Sequence, residues 1–334
     1  IQRGQLLSPA FAQEPFQYYR LAFRARSGDR YYWFGRFYNP DGDELAADHV
    51  SAADPSADWQ AHEYAFRGRL NAQTARISFA PQKKPVALDQ VLIEPVDDAW
   101  VQQWSQSVYA TVPPVQYVPP EDRHQHLPRL VEKLRSGGAL RIVMLGDTIA
   151  NDIGNSAYDV LLEHAHPGVT IELINSVRSG TGCTWYQHEN RVQDYVIRYD
   201  PDLLIIAGIS NGNDPEAMRR VIRQVREEID PEIIVCTGAV TTLDERIEQA
   251  SRRFRKAPKK AEDAERRARS FADRLERMAA EEDVAFLDMQ AAWDAYMAGH
   301  ARDARYFQRD YIHANHRGRA VLARMMLRFL SPGD

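Results

Sequence analysis

The sequence of 334 residues predicts an α/β domain, with a parallel sheet covered on both faces, preceded by an antiparallel β-sandwich. Three observations carry this expectation. Residues 1–111 alternate apolar and polar positions with a period of two and are rich in aromatics. Residues 112–123 are rich in proline, which fixes φ and removes a donor, so they read as a stiff linker. From residue 124 to 334, short apolar runs alternate with helical stretches, as in strand–helix–strand units.

Within residues 1–111, Phe16–Phe23 and Tyr31–Tyr38 read as strands on either side of the turn Ser27-Gly28-Asp29. Asn39-Pro40-Asp41-Gly42 is the next turn. Short strands are expected at His62–Phe66, Ala75–Phe79 and Leu88–Ile93, with no long helix. Tyr31, Trp33 and Trp59 are either a platform for a sugar ring or core and interdomain residues. This pattern resembles the jelly-roll modules joined to carbohydrate-active enzymes. Because the chain opens close to its first strand, one edge of the sandwich is expected to be missing.

The later strands are expected at Leu140–Leu145, Val169–Ile174, Leu203–Ala207, Glu232–Val235 and Val284–Leu287. Helices are expected near 153–165, 189–199, 214–228 and 244–282, and over His316–Phe329. Parallel sheets bind ligands at the carboxyl ends of their strands. The polar residues there are therefore the candidates. Gly146-Asp147-Thr148-Ile149-Ala150-Asn151 follows the first strand and Asn175-Ser176-Val177-Arg178-Ser179-Gly180-Thr181-Gly182 the second. Gly208-Ile209-Ser210-Asn211 follows the third, and Asp310-Tyr311-Ile312-His313 lies before the closing helix.

In that order, the four segments resemble the SGNH/GDSL hydrolase family over about residues 139–331. The resemblance implies a flavodoxin-like three-layer fold and esterase chemistry, which many members direct at acylated carbohydrates. Ile142–Asp147 fits the first segment and Asn151 its trailing amide position, but the family's serine nucleophile is replaced by Thr148. Counted from Asn175, the second segment's glycine falls on Val177, with Gly180 and Gly182 further on. The third segment's asparagine falls on Ser210, with Asn211 one residue later. The Asp-x-x-His segment is intact as Asp310 and His313, and Asn315 and Gly318 also fit.

Ester hydrolysis needs a hydroxyl activated by a nearby base. An imidazole titrates near neutral pH, so His313 is the natural base. Asp310 can fix its tautomer and stabilise its cation. Thr148 would supply the hydroxyl, with a methyl group that restricts χ1. Donors for the oxyanion are expected from the Thr148 N–H, from Gly180 or Gly182, and from the side chain of Asn211 or Ser210. Plain structural uses stand beside these. Thr148 can cap the following helix, Gly180 and Gly182 can permit a tight turn, and Asn211 can be turn chemistry. Asp147 binds either loop N–H groups or substrate. Arg178 and His188 can hold an anionic group. Trp185 and Tyr186 can stack on a sugar or pack against the N-terminal region. Asp152 reads as solvated, Asp288 as a cap, and Cys183 and Cys236 as small buried apolar residues.

A net charge of −5 lacks the basic surplus of a nucleic-acid binder. No run of about eighteen apolar residues offers a membrane span. Two cysteines are too few for a disulfide framework. The ten histidines lack ligand spacing, so neither metal nor cofactor is expected. Six of the nine residues Arg252–Lys260 are basic; they are either a solvated insertion or a docking surface for an acidic polysaccharide or partner. Ile1 in place of Met points to a trimmed or processed chain whose signal peptide would be gone. The expected function is deacylation of a glycan by a periplasmic or secreted enzyme, acting on a poly- or oligosaccharide. The alternatives are glycosidic cleavage by Asp147, Asp152, Asp310 and His313, or glycan binding without catalysis.

Overall fold

The computed structural model describes residues 5–45, 49–211, 214–240 and 261–333. The first eight strands are β1 (Leu6–Leu7), β2 (Phe11–Ala12), β3 (Tyr18–Ser27), β4 (Tyr31–Tyr38), β5 (His49–Ala53), β6 (Ser56–Arg67), β7 (Thr74–Pro81) and β8 (Val86–Val96). One sheet runs β1-β7-β4-β5, with β2 also on β7; the other runs β6-β3-β8. All their pairings are antiparallel. Period-two alternation turns one face of each sheet inward, and Leu21 and Phe23 of β3 meet Trp33 and Phe37 of β4 in a shared core with Phe66. The result is a β-sandwich. Tyr31 and Trp33 are buried in it, so neither is a sugar platform. Trp59 is half-buried, with the guanidinium groups of Arg24 and Arg26 over its ring.

Five more strands are β9 (Gly138–Gly146), β10 (Val169–Val177), β11 (Leu203–Ile206), β12 (Glu232–Cys236) and β13 (Ala285–Leu287). They form a parallel sheet in the order β10-β9-β11-β12-β13. Numbered within the sheet, that is 2-1-3-4-5, the flavodoxin-like order, whose switch point lies between the strands here named β9 and β11. The central strands are apolar on both faces, as a sheet covered by helices requires, and each face has its own buried cluster. No helix among the described residues is long and apolar enough to cross a membrane.

The structure corrects several expectations. The helix Asp98–Tyr109 lies where only strands were expected. Asp97 caps it by accepting the Trp100 N–H at 2.8 Å, and its buried Val101 packs with Ala157 and Val160 of the α/β part. The proline-rich stretch is not a free linker. Val112 and Val115 are buried in the core of the parallel sheet, and Tyr296 Oη donates to Pro113 O at 2.9 Å. The helix expected near 153–165 is two helices, Thr148–Gly154 and Tyr158–Ala165, separated by Ala157 at φ +62°. The stretch expected near 189–199 is a short α-helix, Arg191–Tyr195, followed by a single 3-10 turn, Ile197–Tyr199. Helices Pro128–Ser136 and Met289–Ala298 were not anticipated; Asp288 caps the second. Helix Ala261–Glu281 is part of the expected 244–282 stretch, whereas Arg252–Lys260 lies outside the described residues.

Candidate active site

Thr148 is the first residue of the helix that leaves β9 at the switch point. The cap of that helix is Asp147, which accepts from the N–H groups of Ile149 and Ala150. Thr148 therefore does not cap, and its hydroxyl is left for another partner. That partner is His313, whose Nε2 lies 2.8 Å from Thr148 Oγ1. The other ring nitrogen, Nδ1, lies 2.8 and 3.0 Å from the two oxygens of Asp310. A carboxylate opposite Nδ1 assigns the proton to that nitrogen and leaves Nε2 as the acceptor for the Thr148 hydroxyl. Asp310 also accepts from the Ile312 and His313 N–H groups, both at 2.9 Å. Burial opposes its ionisation, but the His313 ring, then Arg309 and the Ile312 N–H, hold the carboxyl well below the usual carboxylate range. Asp310 and His313 side chains are 25% and 17% exposed, so the pair is sheltered but reachable.

Asp147 fixes the neighbouring loop as well. Its Oδ2 accepts from the N–H groups of Ile209 and Ser210, at 2.8 and 2.7 Å, which ties the third segment to the first. A Cβ on Gly208 would fall 2.4 Å from the Asp147 carboxylate, so only glycine allows the contact. With four backbone donors on a residue that is 1% exposed, Asp147 is a loop tie and does not face substrate. Asn211 is buried beside it, with Oδ1 accepting the Cys183 N–H at 2.8 Å and Nδ2 donating to Gly208 O over a long 3.4 Å. Ser210 is half-buried, with its backbone N–H on Asp147. Gly182 sits against this loop, since a Cβ there would lie 2.3 Å from Ser210 O. Gly180 is exposed at φ +63°, in the turn closed by Thr181 N–H to Arg178 O.

The residues expected to touch substrate divide. Arg178 and His188 are exposed. Trp185 is half-buried, and the guanidinium groups of Arg178 and Arg191 lie 4.8 and 3.7 Å from its ring centroid. Tyr186 is fully buried and its hydroxyl donates to Gly146 O at 2.8 Å, so it braces the end of β9 and contacts no substrate. Cys183 and Cys236 are buried, and burial pushes both thiols up.

Asp152 overturns its solvated reading. It is 1% exposed; Oδ1 takes Arg309 Nη1 at 2.5 Å and Arg319 Nη2 at 2.8 Å, while Oδ2 takes the Ala314 N–H at 3.0 Å. One turn after Thr148, it clamps the helix that begins with Thr148 to the segment carrying His313. Neither Arg309 nor Arg319 is conspicuous in the sequence, because their partner lies more than 150 residues away. Asp147 and Asp152 are thus both committed to structural partners, which leaves neither as a free carboxylate for the glycosidic reading.

The family model described as "GDSL-like Lipase/Acylhydrolase family" matches residues 144–321. No curated protein matches the sequence significantly. Among solved structures, a two-domain esterase (CEX) active on acetylated mannans has a TM-score of 0.46 at 18% identity, over 62% of this chain and 52% of its own, so the match spans about half of that protein. A catalytic mutant of Axe2, an acetylxylan esterase from Geobacillus stearothermophilus, has a TM-score of 0.46 at 18% identity, over 59% of this chain and 99% of its own.

Proposed function

The chain belongs to the GDSL-like lipase/acylhydrolase family, and from that premise we propose that it removes an acyl group, acetyl first, from a hydroxyl of a carbohydrate. Thr148 is the nucleophile, His313 the general base and then acid, and Asp310 its orienting partner. One observation carries the reading: an unbroken hydrogen-bonded path from Thr148 Oγ1 through the His313 ring to Asp310, each step 2.8 Å. Nε2 takes the hydroxyl proton as Oγ1 bonds to the acyl carbon. The tetrahedral oxyanion then collapses, the bond to the sugar oxygen breaks, and Nε2 returns the proton to that oxygen. Water, deprotonated by the same nitrogen, cleaves the acyl-threonine and releases the acid. The Thr148 and Gly180 N–H groups and Asn211 Nδ2 are the oxyanion donors, each worth roughly 10²–10³-fold in rate. Arg178 and His188, both exposed, are assigned to meet the hydroxyl-rich leaving group.

Trapping tests this. Purified protein is mixed with an aryl acetate and quenched, and peptides are weighed by mass spectrometry. An acetyl group on Thr148, with release of acetate from an acetylated polysaccharide, is the expected result. Turnover with no label on Thr148 would assign the attack to water, and no turnover on any acyl ester would remove the esterase reading.

A further inference from the structure

The segment that carries Asp310 and His313 has little regular structure of its own. Its ordered turn is Ala304–Tyr306, and its only bridge is Gln308 to Ala314. Backbone carbonyls in such a segment need partners from elsewhere. Here, the β-sandwich supplies three. Arg30, just before β4, donates through Nη1 to Gln308 O at 2.9 Å and through Nη2 to Arg305 O at 3.1 Å. Tyr32 Oη donates to Arg309 O at 3.2 Å. Arg30 is itself fixed by Asp54, 2.9 Å from Nη2. The second oxygen of Asp54 receives Arg317 Nη1 at 2.8 Å, from the first turn of the closing helix. Tyr32 is close enough to the pair that, after burial, the charge of Asp310 is the next cause pushing its phenol up.

We propose that the β-sandwich is part of the catalytic apparatus, with Arg30 and Tyr32 as positioning residues that hold the Arg305, Gln308 and Arg309 carbonyls and so keep His313 in register with Thr148. This rests on the assignment of His313 as the base. Neither residue touches the reacting atoms. The effect is geometric: displacing a reacting group by about 1 Å can cost on the order of 100-fold in rate. Loss of Arg30 removes its two donors from the Gln308 and Arg305 carbonyls and leaves Asp54 with Arg317 alone of the two arginines, so the segment gains room to move.

The test uses the whole chain with Arg30→Ala, Arg30→Lys, Tyr32→Phe and, as a control on the sandwich surface, Arg24→Ala. Aryl-acetate kinetics give kcat and KM. Amide hydrogen exchange is followed for peptides covering residues 303–314 and, for comparison, β9. Arg30→Ala is expected to lower kcat about 10- to 100-fold with KM nearly unchanged, the signature of an effect on the reacting geometry. Exchange over 303–314 should rise while β9 stays protected. Arg30→Lys should recover part of kcat, Tyr32→Phe should show a smaller loss, and Arg24→Ala should match the parent. Parent kcat in Arg30→Ala, or exchange over 303–314 that does not change, would overturn the proposal. If the parent protein hydrolyses no ester, the proposed function fails, and the exchange experiment alone still decides whether the sandwich holds this segment.

Discussion

The proposed chemistry turns on Thr148, and the cap assignment separates its two uses. Since Asp147 caps the helix, removing the Thr148 hydroxyl should scarcely change stability. Thr148→Ala is expected to unfold within about 0.5 kcal/mol of the parent in urea, as ordinary substitutions away from caps and cores do. Its ester hydrolysis should nevertheless be abolished, as in His313→Ala. Thr148→Ser should keep or raise activity, because a primary hydroxyl attacks with one methyl fewer to place. Asp147→Ala should behave in the opposite sense, losing about 2 kcal/mol with its cap. A folded Thr148→Ala enzyme that still turns over and still needs His313 would point to water as the attacking group. Gly182 and Gly208 are also explained at this scale: one allows close approach to Ser210, the other to Asp147.

Between elements, the decisive feature is the buried clamp on Asp152. It joins the helix Thr148–Gly154 to the His313 segment and, through Arg319, to the closing helix His316–Leu330. Arg319 in turn reaches His49 Nε2 at 2.7 Å in the sandwich. His49 must accept there, and burial together with the Arg319 charge lowers its pKa and keeps the ring neutral. Removing one partner of a buried ionic cluster leaves uncompensated charge. Asp152→Ala is therefore expected to lose about 3–5 kcal/mol by chemical denaturation, and to lose activity at temperatures where it remains folded. Asp152→Asn keeps one acceptor oxygen and should fall between. An Asp152→Ala protein as stable as the parent would show that the two arginines find other partners.

Across the whole molecule, the sandwich and the parallel sheet share no strand among the described residues, yet they are joined through buried charge. Asp159, 4% exposed, takes Arg67 from β6 and the Tyr18 hydroxyl from β3. A fragment starting at Asp122 should keep a parallel-sheet circular-dichroism signature but melt below the intact chain, because Asp159 and Arg319 lose their partners. A fragment from Asp97 should recover part of the difference by restoring Val101, Val112 and Val115. Equal melting of the Asp122 fragment and the whole chain would dismiss the interface as a source of stability.

The interface should also be acid-sensitive. Burial, then Arg317, lowers the pKa of His316 to about 3. An unfolded histidine titrates near 6.5. Below that pH the unfolded chain binds a proton that the folded chain refuses, so this contribution is full above about 6.5 and declines as pH falls toward 3. Unfolding free energies measured from pH 8 to 4.5 should show the decline, and His316→Phe should flatten it by roughly one proton. The same slope in both proteins would place the acid sensitivity elsewhere.

What the sequence determined by itself was local and periodic. Alternation in β3 and β4, the apolar runs of β9 to β13 and the Asp-x-x-His spacing each depend on residues a few positions apart, and each was legible. The helix Asp98–Tyr109 was obscured by the strands before it and the prolines after it, although its Asp97 cap stands in the sequence. Which residue caps and which offers a free hydroxyl at Asp147-Thr148 was not legible, because either side chain suits a cap and only the backbone direction chooses. Asp152 read as a solvated charge, and Arg309, Arg319 and Arg30 were not singled out at all, until folding brought them together. Their role depends on partners more than 150 residues away in the chain, and pairing over such separations is set by how the two sheets and the closing helix pack.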